Sequence, residues 1–160
     1  MGHMLSSDVD RFWHLIESIR FCMLCNWSGT RLHSRPMGAF IRRDERAIYL
    51  FADARSQITG QISEYPRVCL AFTGRGQKYV SISGIAEVNS DLEKIKRLWA
   101  MPAKVWWKTS DNPHIRLIKI TPLEAEFWDT PGYLMSSLST LLAFATGGYP
   151  KAGDHKKLAL

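Results

Sequence analysis

Arg35, Arg55 and Ser56 are the residue types from which a phosphate site is made. A guanidinium binds a phosphate through two parallel N–H bonds, and a serine at the start of a helix stands beside free backbone N–H groups and the positive end of the helix dipole. The same residues also make solvated charges and a plain helix cap, so their types alone leave the question open. Six tryptophans are the second chemical feature, with four at Trp99, Trp106, Trp107 and Trp128 and the pair Trp106-Trp107 standing between Lys104 and Lys108. Aromatic rings flanked by cations suit an interface or a planar ligand, while a satellite core cluster accounts for them equally well.

Other chemistries find no support. Cys22-Met23-Leu24-Cys25 has the spacing of a redox or zinc pair, but strand positions three apart point to opposite faces and no second cysteine pair exists. The thiols are read as ordinary buried small hydrophobes. The five histidines, His3, His14, His33, His114 and His155, have no carboxylate at metal-ligand spacing, so no metal is expected. Gly74-Arg75-Gly76 falls in a hairpin turn and not between a strand and a helix, which removes the dinucleotide reading, and neither a nucleophile elbow nor a P-loop is present.

The elements that must carry these residues follow from periodicity. Phe12, Leu15, Ile16 and Ile19 predict a helix over Ser7 to Arg20 with Ser7 as its N-cap. Phe21 to Trp27 and Arg31 to Arg43 predict a hairpin about Ser28-Gly29-Thr30, and Ala47 to Phe51 a third strand ending at Asp53. Ser56 caps a short helix carrying Ile58 and Ile62, and beyond Pro66 Val68 to Phe72 forms a strand. Lys78 to Asn89 alternates, with Val80, Ile82, Ala86 and Val88 toward a core and Tyr79, Ser81, Ser83 and Glu87 away from it. Ser90 to Glu93 is a capping box opening a helix with Leu92, Ile95, Leu98 and Trp99 on one stripe, and Ile115 to Trp128 is a last strand interrupted by Pro122. Six strands at hairpin spacing with short helices inserted favour a closed antiparallel barrel over a parallel sheet. Beyond Pro131, Leu134, Leu138, Leu141 and Leu142 suggest one helix, and Gly147 to Pro150 with His155-Lys156-Lys157 a mobile tail.

Composition sets the frame. One hundred and sixty residues, 46% hydrophobic and 22% charged, fit one ordinary domain and exclude wholesale disorder. The stretch Leu138 to Ala145 is far too short to span a bilayer. Met1-Gly2-His3-Met4 reads as a cloning remnant with Met4 as the native start, and three cysteines that cannot all pair point to a cytoplasmic protein with reduced thiols. The formal charge of +6 permits nucleic acid, an anionic membrane or a phosphorylated small molecule as partner. Arg42, Arg43, Arg46, Arg75, Lys94, Lys96 and Arg97 are scattered over turns and helix faces, so neither nucleic acid nor membrane is expected.

The order of several segments resembles a known family. Arg35-Pro36-Met37, Ile48 to Asp53 followed by Ser56, Tyr65 to Phe72, Tyr79 to Ala86, Leu98-Trp99, Ala103 to Trp107, Asp111-Asn112-Pro113 and Ala125 to Asp129 are similar to the pyridoxamine 5'-phosphate oxidase-like family, in its general stress protein branch. The resemblance runs from about Phe12 to the tail. It implies a mainly β (α+β) fold, a six-stranded antiparallel split β-barrel with short flanking helices over residues 5–131, followed at 132–160 by a C-terminal helix and flexible tail. It further implies a homodimer that binds FMN at the interface. On that pattern Arg35, Pro36 and Met37 run under the flavin with Arg35 near the phosphate, Phe51 and Ala52 follow the ribityl phosphate, and Ser56 and Gln57 sit at its oxygens. Tyr79 and Ser81 lie beside the ring, and Trp106 is an aromatic that a second subunit presents to it.

The sequence departs from that pattern at the phosphate. Ala52 stands where the family has a threonine and Ile58 where it has a lysine, and Phe40 where the true oxidases carry another lysine. Each lost charge-assisted contact is worth ~1.5–3 kcal/mol, so the resemblance implies FMN held more weakly, with Arg55 as a candidate substitute. The substrate-binding arginine and histidine of true pyridoxamine phosphate oxidases have no counterpart, and that activity is not expected. Two readings remain: a flavin-dependent oxidoreductase acting with a small-molecule electron donor or acceptor, and a non-catalytic carrier or sensor of a flavin or another planar cofactor.

Overall fold

Alternating side chains wrap most of the chain into one antiparallel sheet that closes on itself. The computed structural model describes residues 2–99, 103–104, 107–129, 145 and 154–160. Among these, the elements run α1 (Gly2–Ile19), β1 (Phe21–Trp27), β2 (Leu32–Arg42), β3 (Ala47–Asp53), α2 (Gln57–Glu64), β4 (Arg67–Gly74), β5 (Lys78–Asn89), α3 (Leu92–Leu98), β6 (Ile115–Asp129) and β7 (Asp154–Ala159). The strand order is β3-β2-β1-β4-β5-β6-β7, and an additional pairing of β3 with β6 closes the first six strands into a barrel. The expected six-stranded barrel with short flanking helices is therefore the observed one, with a seventh strand added to β6.

The barrel interior is built by every second residue. Cys22 and Leu24 of β1, Val68, Leu70 and Phe72 of β4, and Val80, Ile82 and Ala86 of β5 are buried together, and Phe12, Leu15 and Ile16 of α1 pack onto them. Strand β3 departs from alternation, since Ala47 to Ala52 are all buried. Its two faces serve two cores: Ile48, Leu50 and Ala52 point into the barrel, while Ala47, Tyr49 and Phe51 point into a smaller cluster roofed by Ile95 and Leu98 of α3. A strand covered on both faces reads as a continuous apolar run, which is how Ala47 to Phe51 reads. Lys94 of α3 and Tyr49 both hydrogen-bond Glu45, each at 2.5 Å, which ties the roof to β3.

Several local expectations are corrected. Ser7 does not cap α1, because the helix already runs from Gly2, within the segment read as a cloning remnant; a cap preference yields where helical backbone bonding continues ahead of it. Helix α3 is capped by Asp91, whose carboxylate accepts from the Lys94 N–H, and not by Ser90. Strand β6 is not broken at Pro122. It continues because Leu123 is an extra residue between the pairs Ser83↔Glu124 and Gly84↔Pro122, a bulge that accommodates the missing N–H.

The basic end is not a mobile tail. Residues 154–159 are β7, paired with β6 from Asp129 to Glu124. His155 stacks on Trp128 at 4.8 Å and meets Glu126 at 3.2 Å, Lys157 reaches Glu126 at 3.5 Å, Lys156 reaches Asp8 of α1 at 3.6 Å, and Leu158 is buried in the barrel core. Opposite charges and one buried leucine turn a polar run into a strand. The helix expected through Leu134, Leu138, Leu141 and Leu142 lies outside the described residues.

At the bulge the backbones approach closely: a Cβ on Gly84 would stand 2.7 Å from the Thr121 carbonyl oxygen and 3.0 Å from Ile120 Cγ2. Gly84→Ala is expected to destabilise the protein by about 1–3 kcal/mol, read as a lower urea midpoint, because the obstructing atom belongs to the backbone of the paired strand. An unchanged midpoint would mean that the bulge relaxes freely.

Candidate functional site

Strand β2 belongs to two neighbours in turn. It pairs with β1 from Leu32↔Trp27 to Gly38↔Phe21, and with β3 only from Ala39↔Leu50 to Arg42↔Ala47. Strand β3 meanwhile stays on β6 as far as Asp53↔Ile115. Past Ala39 the two strands therefore splay, and the edges Arg35–Gly38 and Phe51–Asp53 face each other without ladder bonds. Such edges present backbone donors and acceptors to whatever enters the gap.

This gap is a cleft of about 380 Å³. Arg35, Pro36, Met37, Gly38 and Phe40 of β2 form one side, Phe51, Ala52 and Asp53 of β3 the other, with Ser56 and Ile58 from the start of α2, Ala103, Trp107 and Phe21 completing it. Because Arg35 pairs with the buried Leu24 and Met37 with the buried Cys22, both side chains project to the inner side of the sheet, while Pro36 lies on the outer side with Met23. The aromatic wall is a cluster around Phe51, whose ring lies edge-to-face with Phe40 at 5.0 Å and Trp99 at 6.0 Å and tilted against Trp107 at 6.2 Å. Trp99 and Trp107 pack on the smaller core. Of the two, Trp107 also lines the cleft, so part of the satellite core forms the cleft wall.

The electrostatics of the cleft rest on Arg35 and Asp53. Arg35 Nη2 donates to Asn26 Oδ1 at 3.4 Å, and the buried Asn26 donates in turn to Gln61 of α2 at 2.9 Å, a chain that links β2, β1 and α2. Asp53 accepts from the Arg55 Nε, Nη2 and backbone N–H at 2.9, 2.7 and 2.8 Å. Those hydrogen bonds, more than the bare charge, hold its carboxyl far below the usual carboxylate range. Ser56 stands at the N-cap of α2, but its hydroxyl donates to the Asp53 carbonyl at 2.6 Å and its oxygen accepts from no N–H of the helix's first turn, so the Ser56 side chain does not cap α2.

Of the residues singled out from the sequence, the structure brings Arg35, Pro36, Met37, Phe51, Ala52 and Ser56 into one cleft. Arg55 is not among them; it lies exposed and turned onto Asp53, which supplies the nearest strong acceptor. Gln57 is exposed, and Tyr79 and Ser81 lie on the outer face of β5, neither in the cleft. Trp106 lies outside the described residues. Ile58 lines the cleft and is also buried in the barrel core. Phe40, read as standing where the true oxidases carry a lysine, and Trp107, read with Trp106 as suited to an interface or a planar ligand, also line the cleft; Phe21, Gly38, Asp53 and Ala103 are lining residues that sequence reasoning did not place there, since nothing in the sequence marks where the β2–β3 ladder ends. The thiols also need correcting: Cys22 is buried, with desolvation pushing its pKa up to about 12, but Cys25 and Cys69 are only half-buried and lie outside the core. Among the described residues no cluster of three metal-ligating side chains occurs, and no helix is long and apolar enough to cross a membrane.

Comparison with known proteins gives a consistent picture. The family model described as pyridoxamine 5'-phosphate oxidase like matches residues 7–151. General stress protein 26 of Bacillus subtilis is 27% identical over 94 residues, which are 56% of this chain and 66% of that protein, just short of two thirds of its length. A Jannaschia sp. CCS1 protein grouped with general stress protein 26 superposes with a TM-score of 0.79 over 97% of this chain and 99% of its own, at 21% identity, which speaks for the fold alone. The crystal structure of a protein from Xanthomonas citri described as a general stress FMN/FAD binding protein is 28% identical, with a TM-score of 0.65 over 74% of this chain and 85% of its own.

The Asp53–Arg55 pair has a signed pH dependence. Because the folded carboxyl titrates below its unfolded value of about 3.9, the pair stabilises above that pH and the contribution disappears as pH falls through the lower folded value. Urea midpoints of the wild type and Arg55→Ala should differ most above about pH 5 and converge toward about pH 2. A difference that widened on acidification would contradict the assignment.

Proposed function

Because the chain belongs to the pyridoxamine 5'-phosphate oxidase-like family, we propose that the cleft between β2 and β3 binds a flavin, FMN, and that the protein is a flavin-dependent oxidoreductase. The observation that carries this reading is the splayed gap itself: two backbone edges that make no ladder bonds to each other, with an aromatic wall beside them and one guanidinium, in a volume within the range of cofactor pockets. A tricyclic ring with hydrogen-bonding groups along its rim matches backbone edges on its sides and aromatic or aliphatic side chains on its faces. The FMN/FAD binding relative from Xanthomonas citri supports the same choice. When bound, a flavin supplies the electron transfer, and the protein's part is to hold and orient it.

On this reading the β2 stretch Arg35 to Met37 runs along the flavin with Met37 on its inner side and Pro36 on its outer side, Phe51 and Trp107 shield the ring from water, and Arg35 with the start of α2 holds the phosphate. Fit at the phosphate end is partial, since among the described lining residues Arg35 is the only cation and Ala52 and Ile58 offer no polar group. Arg35→Ala is expected to weaken FMN ten- to a hundredfold while changing riboflavin, which lacks the phosphate, by no more than about twofold. Calorimetric titration decides, and equal losses for both ligands would place the phosphate elsewhere. A colourless protein that fails to bind added FMN at tens of micromolar would overturn the flavin reading altogether.

A second reading, a non-catalytic flavin carrier or sensor, is favoured by one feature. Asp53 is the only acid among the described cleft residues and is locked to Arg55, so no free acid or base faces the ligand. Reduction of the bound flavin by NADH or NADPH with turnover favours the enzyme, and bound flavin that stays oxidised favours the carrier. We also propose a homodimer. Phe21 is 61% exposed at the mouth of the cleft and Tyr79 44% exposed on the same outer side of the barrel, apolar surface that a second copy would cover while completing the cleft. Sedimentation at micromolar concentration should give twice 18.3 kDa, and the mass of a single chain would refute it.

A further inference from the structure

Cys25 and Cys69 are direct partners in the β1–β4 ladder. Neither reaches the core: β1 buries Cys22, Leu24 and Asn26 and β4 buries Val68, Leu70 and Phe72, so the two thiols project together from the outer face of the sheet. Residues directly opposed in an antiparallel pair have Cα atoms about 4.5 or 5.5 Å apart, according to their place in the hydrogen-bond pattern, and both values fall in the span a disulfide bridges. Both sulfurs are free and half-buried, each beside a serine hydroxyl, Ser34 3.3 Å from Cys25 and Ser81 3.6 Å from Cys69. Cys22, three residues from Cys25, lies on the opposite side of β1 and takes no part.

We propose that Cys25 and Cys69 form an oxidisable dithiol, a reversible modification site that takes a peroxide and stores the oxidation as a bond between β1 and β4. One thiol gives its proton to solvent, and its thiolate attacks hydrogen peroxide; the S–O bond forms as the O–O bond breaks, and the departing hydroxide takes a proton back from solvent, leaving a sulfenic acid and water. The second thiol attacks the sulfenic sulfur, the S–S bond forms, the S–O bond breaks, and a second water leaves with the thiol proton. The thiols lose two electrons and the peroxide is reduced to two waters. This chemistry is independent of the flavin and uses no cleft residue. Its structural consequence lies next to the cleft, because the stapled strand β1 carries Asn26, the partner of Arg35.

The test treats the intact protein with a small excess of hydrogen peroxide and follows free thiols and mass. The free-thiol count should fall from three to one with the loss of two hydrogen atoms, peptide mapping should join Cys25 to Cys69, and dithiothreitol should restore all three. Cys25→Ser and Cys69→Ser should each abolish the change, whereas Cys22→Ala should keep it. The oxidised form should melt higher, by roughly 5 °C or more, since the bond closes the long loop between the two strands. An unchanged thiol count, oxygen addition at a single cysteine, a bond between Cys25 of two chains, or a lower melting midpoint would each overturn the proposal.

Discussion

The structure depends on where strand β3 finds its partners. It pairs with β6 along six residues, Ile48 to Asp53, but with β2 along only four, Ala47 to Leu50. Closing a barrel asks each strand to satisfy two edges, and here the β2 edge is left open beyond Ala39. A backbone edge that goes unpaired must find water or a ligand. The gap is therefore a cost to the fold as well as its principal opportunity for function.

The two cores make that gap tolerable. The barrel core holds β3 from one side through Ile48 and Leu50, and the smaller core holds it from the other through Tyr49 and Phe51. With both faces buried, β3 does not need a full ladder with β2 to keep its position. Helix α3 matters for the same reason: Ile95 and Leu98 cover the outer face of β3, and Lys94 with Glu45 and Tyr49 fixes the cover in place. Burial is the first cause that pushes the Tyr49 hydroxyl pKa upward, so this group stays protonated and remains a donor to Glu45.

Charge has a more local meaning than the net value suggests. The excess of cations is spread over the surface, and several of those facing a carboxylate are spent on holding elements together. Arg11 pairs with Asp129, Arg43 with Asp10, Lys94 with Glu45 and Lys156 with Asp8. Arg35 differs by location, since it reaches the cleft and leans on a neutral amide. A guanidinium held by an amide keeps its charge for an incoming anion, whereas one held by a carboxylate, as Arg55 is by Asp53, has largely committed it.

By itself the sequence determined six of the seven strands and much of the cleft. Alternation along Lys78–Asn89 and the apolar runs at Phe21–Trp27 and Ala47–Asp53 register a side-chain period that the backbone must obey, so β1, β3 and β5 were legible. Arg35, Met37, Phe51, Ala52 and Ser56 were legible as a group through the order of segments, and they do meet. Only the tertiary structure decided the rest. Whether Arg55 turned to the cleft or to Asp53 depended on a carboxylate two residues away being within reach, and whether His155 to Lys157 formed a strand depended on Glu124, Glu126 and Asp8 lying beside them. The pairing of Cys25 with Cys69 and the end of the β2–β3 ladder are matters of register between distant segments. Periodicity tells which face a residue takes, but which strand lies opposite is settled by closure and packing, and no local pattern carries that information.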